Sequence, residues 1–363
     1  MMKLSLILLL LTQLVACQKS SWLVRSPAQD TGLALGYMDD RMRDWLNVGR
    51  THSGQCLSCH TSVPYAMARP AFGQTEELEN VRKIVEERVT IYKNEGIDSP
   101  NLKPWYDYPK ESFSTESVAN SITLIYMDKG EGLGQEKLSK EAKASLDWAF
   151  EMQIKEGPKK GGFLWLDMFN LKPFEAKGGE MWGASMLAVA IGESPGNYKN
   201  NPMIQDNLKM LKEYLGREFN NHTLHEQLMV VWADHELGGG ILTEAQIKQT
   251  IKKTLSNHKE GGWSIHKLLG VAGESTPDGY ATGMVTNILL KKGLKEEVKV
   301  QNAVKWIRTS QNIVSTGVLP NGSPSCGSWF GMSPNSGEAS TFFTDISTSY
   351  SMLTLKTASK LGL

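Results

Sequence analysis

One unit recurs along this 363-residue chain, and it narrows the available folds more than any other feature. The unit is a charged amphipathic stretch, a loop carrying glycine and then an aromatic residue, and a second stretch that is apolar all round and rich in Ala, Gly and Ser. "KASLDWAFEMQIKEGPKKGGFLWLDMF…GGEMWGASMLAVAIG" places Gly161-Gly162-Phe163 and Trp165 between a helix expected to end near Gln153 and an apolar helix around Met181 to Ile191. "AQIKQTIKKTLSNHKEGGWSIHKL…DGYATGMVTNILLKKG" repeats the plan with Gly261-Gly262-Trp263 and a small-residue-rich helix from Tyr280 to Leu290. "AVKWIRTSQNIVSTGVLPNGSPSCGSWFGM…TDISTSYSMLTLKTA" repeats it through Gln311 and Gly327-Ser328-Trp329. Looser copies are a pair of helices with Trp105 in its loop, a pair over residues 203–239 without the Gly-Trp element, and a compact first pair, "DDRMRDWLNVGRTHSGQCLSCHTSVPYAMARPAFG". Periodicity is helical almost throughout, without convincing alternating strands.

Six helical hairpins at such spacing read as a repeat architecture. A helix apolar on every side must be buried on every side, whereas one like "IKQTIKKTL" needs water along one face. The second helices are therefore expected to form an inner ring and the first helices an outer one. The expected fold class is all-α, an (α/α)6 toroid. The Gln-then-Gly-x-Trp pattern resembles the QW-type repeat of squalene and oxidosqualene cyclases and of the related protein prenyltransferases, whose shared scaffold is an α/α toroid. The stretch Cys56-x-x-Cys59-His60-Thr61-x-x-Pro64-Tyr65-Ala66 is also similar to bacterial exported proteins in which a c-type haem motif precedes such repeats. Trp165, Trp263 and Trp329 are expected to hold helices together as aromatic plugs at turns.

The first residues, "MMKLSLILLLLTQLVAC", run from one lysine through an apolar stretch to small residues before Cys17, the layout of an export signal. The apolar run is short for a span of about 30 Å of hydrocarbon. Leu14-Val15-Ala16-Cys17 resembles a bacterial lipobox, which implies lipidation of Cys17. The expected organisation is a signal peptide at 1–16, a linker at 17–36 and a toroid domain at 37–363, with the CxxCH segment at 52–70. The expected location is the cell envelope, anchored to a membrane by the N-terminal lipid and facing the periplasm, with Gln18 favouring the outer membrane. Lys plus Arg and Asp plus Glu number 39 each, so there is no basic field to hold nucleic acid.

Four cysteines complete the accounting. Cys17 goes to lipid, Cys56 and Cys59 with His60 make the C-x-x-C-H attachment signature of one covalent haem c, and Cys326 stands alone. Two thiols that near each other reach both vinyl groups, and the adjacent His60 is delivered to iron. A thioredoxin-like pair would need a βαβ context, which is not found, and zinc would need a second Cys/His pair at ligand spacing. For the sixth iron position, Met67 on the same helix is poorly placed. If the ring closes, the first hairpin lies between the second and the sixth, and the sixth offers Met332 in "WFGMSPN"; His52 is the second choice.

Cyclase chemistry lacks its residues. An acidic Asp-x-Asp-Asp cluster does not occur, and Asp39-Asp40 with Asp44 among Arg41 and Arg43 is expected to be a charged helix face. His222 and His225 in "HTLHEQ", with Glu226 beside them, could put two ligands on one helix face; HExxH does not occur, and surface histidines are the expectation. Glu180, Asp278, Glu338 and Asp345 start the inner helices and are expected to cap them. The expected role is electron transfer or haem-dependent redox chemistry with an unidentified redox partner. The alternative is a non-redox toroid that binds or modifies a lipid, terpenoid or glycan, with a hydrophobic small molecule in its cavity. No catalytic residue is assigned.

Overall fold

The computed structural model describes residues 27–48, 57–130, 137–273, 275–311, 327–329, 331, 334 and 341–363. Helices dominate, and they come in pairs. The outer and inner members of the first pair are α1 (Pro27–Val48) and α2 (Ser62–Ala68). The second pair is α3 (Glu76–Glu95) and α4 (Pro109–Lys129). Then come α5 (Lys140–Met152), a short antiparallel hairpin of β1 (Met168–Leu171) and β2 (Glu175–Ala176), and α6 (Gly179–Glu193). The fourth pair is α7 (Gln205–Glu218) and α8 (Leu224–Glu236). The fifth is α9 (Glu244–Ser256) and α11 (Gly279–Lys291), with the one-turn α10 (Ile265–Leu269) between them. The sixth is α12 (Val298–Thr309) and α13 (Thr341–Lys360).

The inner members close a ring. Helix α2 packs on α4, α4 on α6, α6 on α8, α8 on α11, α11 on α13, and α13 returns to α2. Behind them α3 and α5 pack on α4, α7 on α6, α9 on α8, and α12 on α11 and α13, while α1 lies against α2 and α13. This is the expected (α/α)6 toroid. The division follows from composition: every residue of α6 from Met181 to Ile191 is buried, whereas α9 buries only Ile247, Thr250 and Thr254 among its thirteen residues. Helix starts are fixed locally. The Ser139 and Thr75 hydroxyls accept from Ala142 N and Leu78 N, and Thr223 with Glu226 and Thr243 with Gln246 form capping boxes.

The tryptophans of the third, fifth and sixth pairs all plug a turn, the last two by tying back to their outer helices and Trp165 by tying forward to the β1–β2 turn. Trp165, Trp263 and Trp329 are buried, and their indole N–H groups donate to the carbonyls of Phe174, Thr254 and Ile307 at 2.7, 2.8 and 2.7 Å. The Trp263 and Trp329 amides donate to the hydroxyls of Thr282 and Thr348, each nineteen residues on. Gln153 and Gln311 close their loops by donating to the carbonyls of Gly161 and Gly327. Gly161, Gly261 and Gly327 share φ values of +91°, +90° and +93°, a region that side chains with a Cβ rarely enter. The motif is thus a turn with an aromatic plug, as expected.

Helix α1 begins at Pro27, inside the stretch 17–36 read as linker. Proline suits a first helical turn, and Tyr37, Met38 and Met42 on α1 are buried against the ring. Among the described residues no helix is long and apolar enough to cross a membrane.

Candidate functional site

The described part of the haem-type motif, Leu57 to His60, leads directly into α2, so the start of the first inner helix delivers Cys59 and His60 to one mouth of the ring. Both are buried. The flanking helices are α4 and α13, the neighbours expected for a closed ring. Met67 lies on α2, the helix that His60 immediately precedes. Cys17, His52, Cys56, Cys326, Met332 and Glu338 lie outside the described residues.

His60 sits at the end of a polar relay that begins on α1. Arg41 donates to both oxygens of Asp345 at 2.8 and 3.0 Å, and the Tyr37 hydroxyl donates to the same carboxylate at 2.8 Å. The Thr61 hydroxyl donates to Asp345 at 2.7 Å, and His60 Nδ1 lies 3.1 Å from that hydroxyl oxygen. Since the threonine proton is committed to the carboxylate, its oxygen accepts from Nδ1–H, which leaves Nε2 with a lone pair. Burial and then the charge of Arg41 push the His60 imidazole down to about 3, so it is neutral at ordinary pH. Phe342 stacks on the ring at 4.0 Å and Trp45 meets its edge at 5.7 Å. A neutral imidazole with one nitrogen anchored and the other unprotonated is the form a metal-ligating histidine takes.

Beside it, the Cys59 thiol bonds to Glu175 on β2, whose carboxyl burial pushes up to about 7 against that bond. The imidazole of His60 thus has the form an iron ligand would take, whereas a thioether at Cys59 would remove the proton its thiol now gives to Glu175. Among the described residues no three His, Cys, Asp or Glu side chains gather as a metal cluster.

The hairpin that carries Glu175 also covers the ring. Phe174 is fully buried and meets Trp182 of α6, Tyr280 of α11 and Phe343 of α13 at 5.4, 5.6 and 5.8 Å between ring centres. Farther in, Tyr350 reaches from α13 to the opposite wall, its hydroxyl 3.7 Å from the sulfur of Met186 on α6. At the far end, where the inner helices finish, Lys129 of α4 donates to Glu193 of α6 at 2.5 Å. Lys291 of α11 bridges Glu193 and Glu236, reaching past α8 to do so. The lumen is thus an aromatic interior between an aromatic lid and an ionic floor.

The acidic candidates separate by position. Asp278 caps α11, accepting from Ala281 N and Ile265 N, and Glu180 accepts from Gly178 N, both as expected. Asp345 is a correction: it is the fifth residue of α13, past the cap positions, and there Arg41 holds it. Asp40 pairs with Arg43 at the surface and Asp44 with Arg41, the charged face expected of α1. Asp39 instead accepts from Arg69 at 2.9 and 3.1 Å. His225 is a correction: it is fully buried, not at the surface, because its ring turns toward Tyr280. The roles of Arg41, Thr61 and Glu175 had no local signal, since each acts on a residue far off in sequence or in the next hairpin.

With this geometry in hand, comparison with solved structures finds similarity to a type II terpene cyclase, MstE from Scytonema, in its apo form. The identity is 12%, over 90% of this chain and 99% of that chain, with a TM-score of 0.44. No family model and no curated protein match the chain. Closure of the ring rests on its own helix contacts.

Proposed function

We propose that this chain is a c-type haem protein that serves electron transfer at the cell envelope. In this reading Cys56 and Cys59 would hold one haem by thioethers, and His60 and Met332 would be its iron ligands. The export signal and Cys17 would place it on a membrane facing the periplasm, held by lipid, where haem attachment and redox partners are found. The observation that carries the reading is the His60 relay: at the histidine of a C-x-x-C-H motif, Arg41, Asp345 and Thr61 orient the ring and fix which nitrogen bears the proton. Bound haem would supply one-electron exchange. The protein's part is to present a neutral imidazole, to keep Nδ1 engaged so that the ring stays in one orientation, and to exclude water around it with Trp45 and Phe342.

The test is production of the full chain in a host that matures c-type cytochromes. Denatured wild type should retain a haem stain in a gel and gain the mass of one haem, and Cys56→Ala/Cys59→Ala should lose both. Colourless wild type would refute the reading. A second reading, a non-redox toroid that takes an apolar lipid or terpenoid, is favoured by the aromatic interior of Trp182, Trp232, Tyr280 and Tyr350. It predicts a colourless protein from which solvent extraction recovers a bound apolar molecule.

A further inference from the structure

A buried line of hydrogen bonds joins the starts of α8 and α11. The Tyr280 hydroxyl lies 2.7 Å from His225 Nε2, and His225 Nδ1 lies 3.2 Å from a carboxylate oxygen of Glu226. Tyr280 and His225 have no exposed surface, and Glu226 has 5%. The other oxygen of Glu226 accepts from Thr223 N and from the Thr223 hydroxyl in the capping box. Although burial opposes its charge, His225 and Thr223 hold the Glu226 carboxyl down to about 2, so it is an anion. An anion only accepts. Nδ1 of His225 therefore carries a proton and donates to Glu226, and in the neutral imidazole Nε2 accepts from the Tyr280 hydroxyl.

This places a base, backed by a buried negative charge, at hydrogen-bond distance from a phenol that burial keeps protonated. A resting phenol does not need such a base. A phenol that has lost an electron does, because it becomes a strong acid, and an imidazole poised to take its proton moves the positive charge from an unpaired ring to a site beside the Glu226 carboxylate.

We propose that Tyr280 is a redox-active tyrosine, oxidised by an outer-sphere one-electron oxidant with transfer of its phenolic proton to His225. The electron leaves the ring and reduces the oxidant by one. The Tyr280 O–H bond breaks, an N–H bond forms at His225 Nε2, and a neutral tyrosyl radical remains beside an imidazolium paired with Glu226. Reduction reverses each step. Oxidisable rings lead away from the site: Tyr350 is 5.1 Å from Tyr280 and Trp232 is 6.4 Å from Tyr350, while Phe174 bridges Tyr280 to Trp182, which is 6.2 Å from Trp165. The lid at Phe174 and the ionic floor shield the radical from water. The relay stands without haem, so this inference does not depend on the reading above.

The experiment photo-oxidises the full chain with a ruthenium polypyridyl sensitiser and a cobalt(III) acceptor, with radicals read by electron paramagnetic resonance and flash absorbance. Wild type should give a tyrosyl radical, and Tyr280→Phe should lose it. His225→Gln keeps an acceptor for the phenol but supplies no base, so radical formation should slow roughly 100-fold, the low end of what a positioned base contributes. If that variant does not fold, Glu226→Gln, which suits the same capping box, should slow formation in the same direction. A radical unchanged in Tyr280→Phe, none in wild type, or a wild-type rate in a folded His225→Gln or Glu226→Gln would overturn the proposal.

Discussion

Replacing Arg41 by methionine removes a guanidinium that makes two hydrogen bonds to Asp345 and leaves Tyr37 and Thr61 as donors. Both partners lie inside the protein, with side chains 7% and 4% exposed. Losing one half of such a pair costs about 3–5 kcal/mol, because the remaining charge stays desolvated. Methionine fills much of the space left by the arginine stem, so the loss is electrostatic more than a cavity. Burial already raises the Asp345 carboxyl above its ordinary value of 3.8, and Arg41 opposes that shift. Without Arg41 the folded-state pKa rises further above the unfolded one. Between the two folded-state values the variant binds a proton that wild type does not, so its deficit is full above the variant's folded pKa and shrinks as pH falls toward that of wild type. Urea unfolding followed by circular dichroism should show a deficit of about 4 kcal/mol near pH 7 and a smaller one near pH 5. Arg41→Met/Asp345→Asn should recover most of it, since neither charge remains. A deficit below about 1 kcal/mol, the worth of a surface pair, or one that ignores pH, would refute the reasoning.

Burial alone would raise the Glu193 carboxyl, but Lys129 and Lys291 bring it from 4.5 down to about 2, worth ~3 kcal/mol. That stability is present above the unfolded value and lost as pH falls from there toward 2, so Glu193→Gln should flatten the acid limb of a plot of stability against pH. Trp263→Ala should cost about 3–5 kcal/mol in urea unfolding by emptying a plug, and Trp263→Phe about 1 kcal/mol with the bond to Thr254 lost. If Cys17 carries lipid, Cys17→Ser should move the protein from the membrane to the soluble periplasmic fraction, as blotting of the two fractions would show.

Much of the ring was legible because its signals are local. A helix apolar on all sides, such as α6, announces its burial, and a glycine ahead of a tryptophan announces a turn with φ near +90°. The start of α1 was missed because "PAQDTGLALG" is weakly amphipathic by itself, and its neighbours include the last helix, α13, at the other end of the chain. The site was legible only in part. Cys59 and His60 stand out by spacing, whereas the group that orients His60 lies 284 residues from Thr61, where Asp345 waits on the last helix. In "HTLHEQ" the capping box was visible as Thr223-x-x-Glu226, but nothing in six residues says which way His225 turns.

By itself the sequence determined most of the helices, which of them must be inside, and where the chain turns at the Gly-Trp loops. Hydrogen bonds four residues apart and side-chain volumes within one hairpin settle those matters. The tertiary structure alone decided that Arg41 serves Asp345 and not only its neighbour Asp44, that Tyr280 meets His225, and that Glu193 is held by lysines from two other helices. Each of these is a choice among several charged or polar partners of equal chemistry. Only closure of the ring brings one of them within 3 Å and takes it out of water, where its charge counts.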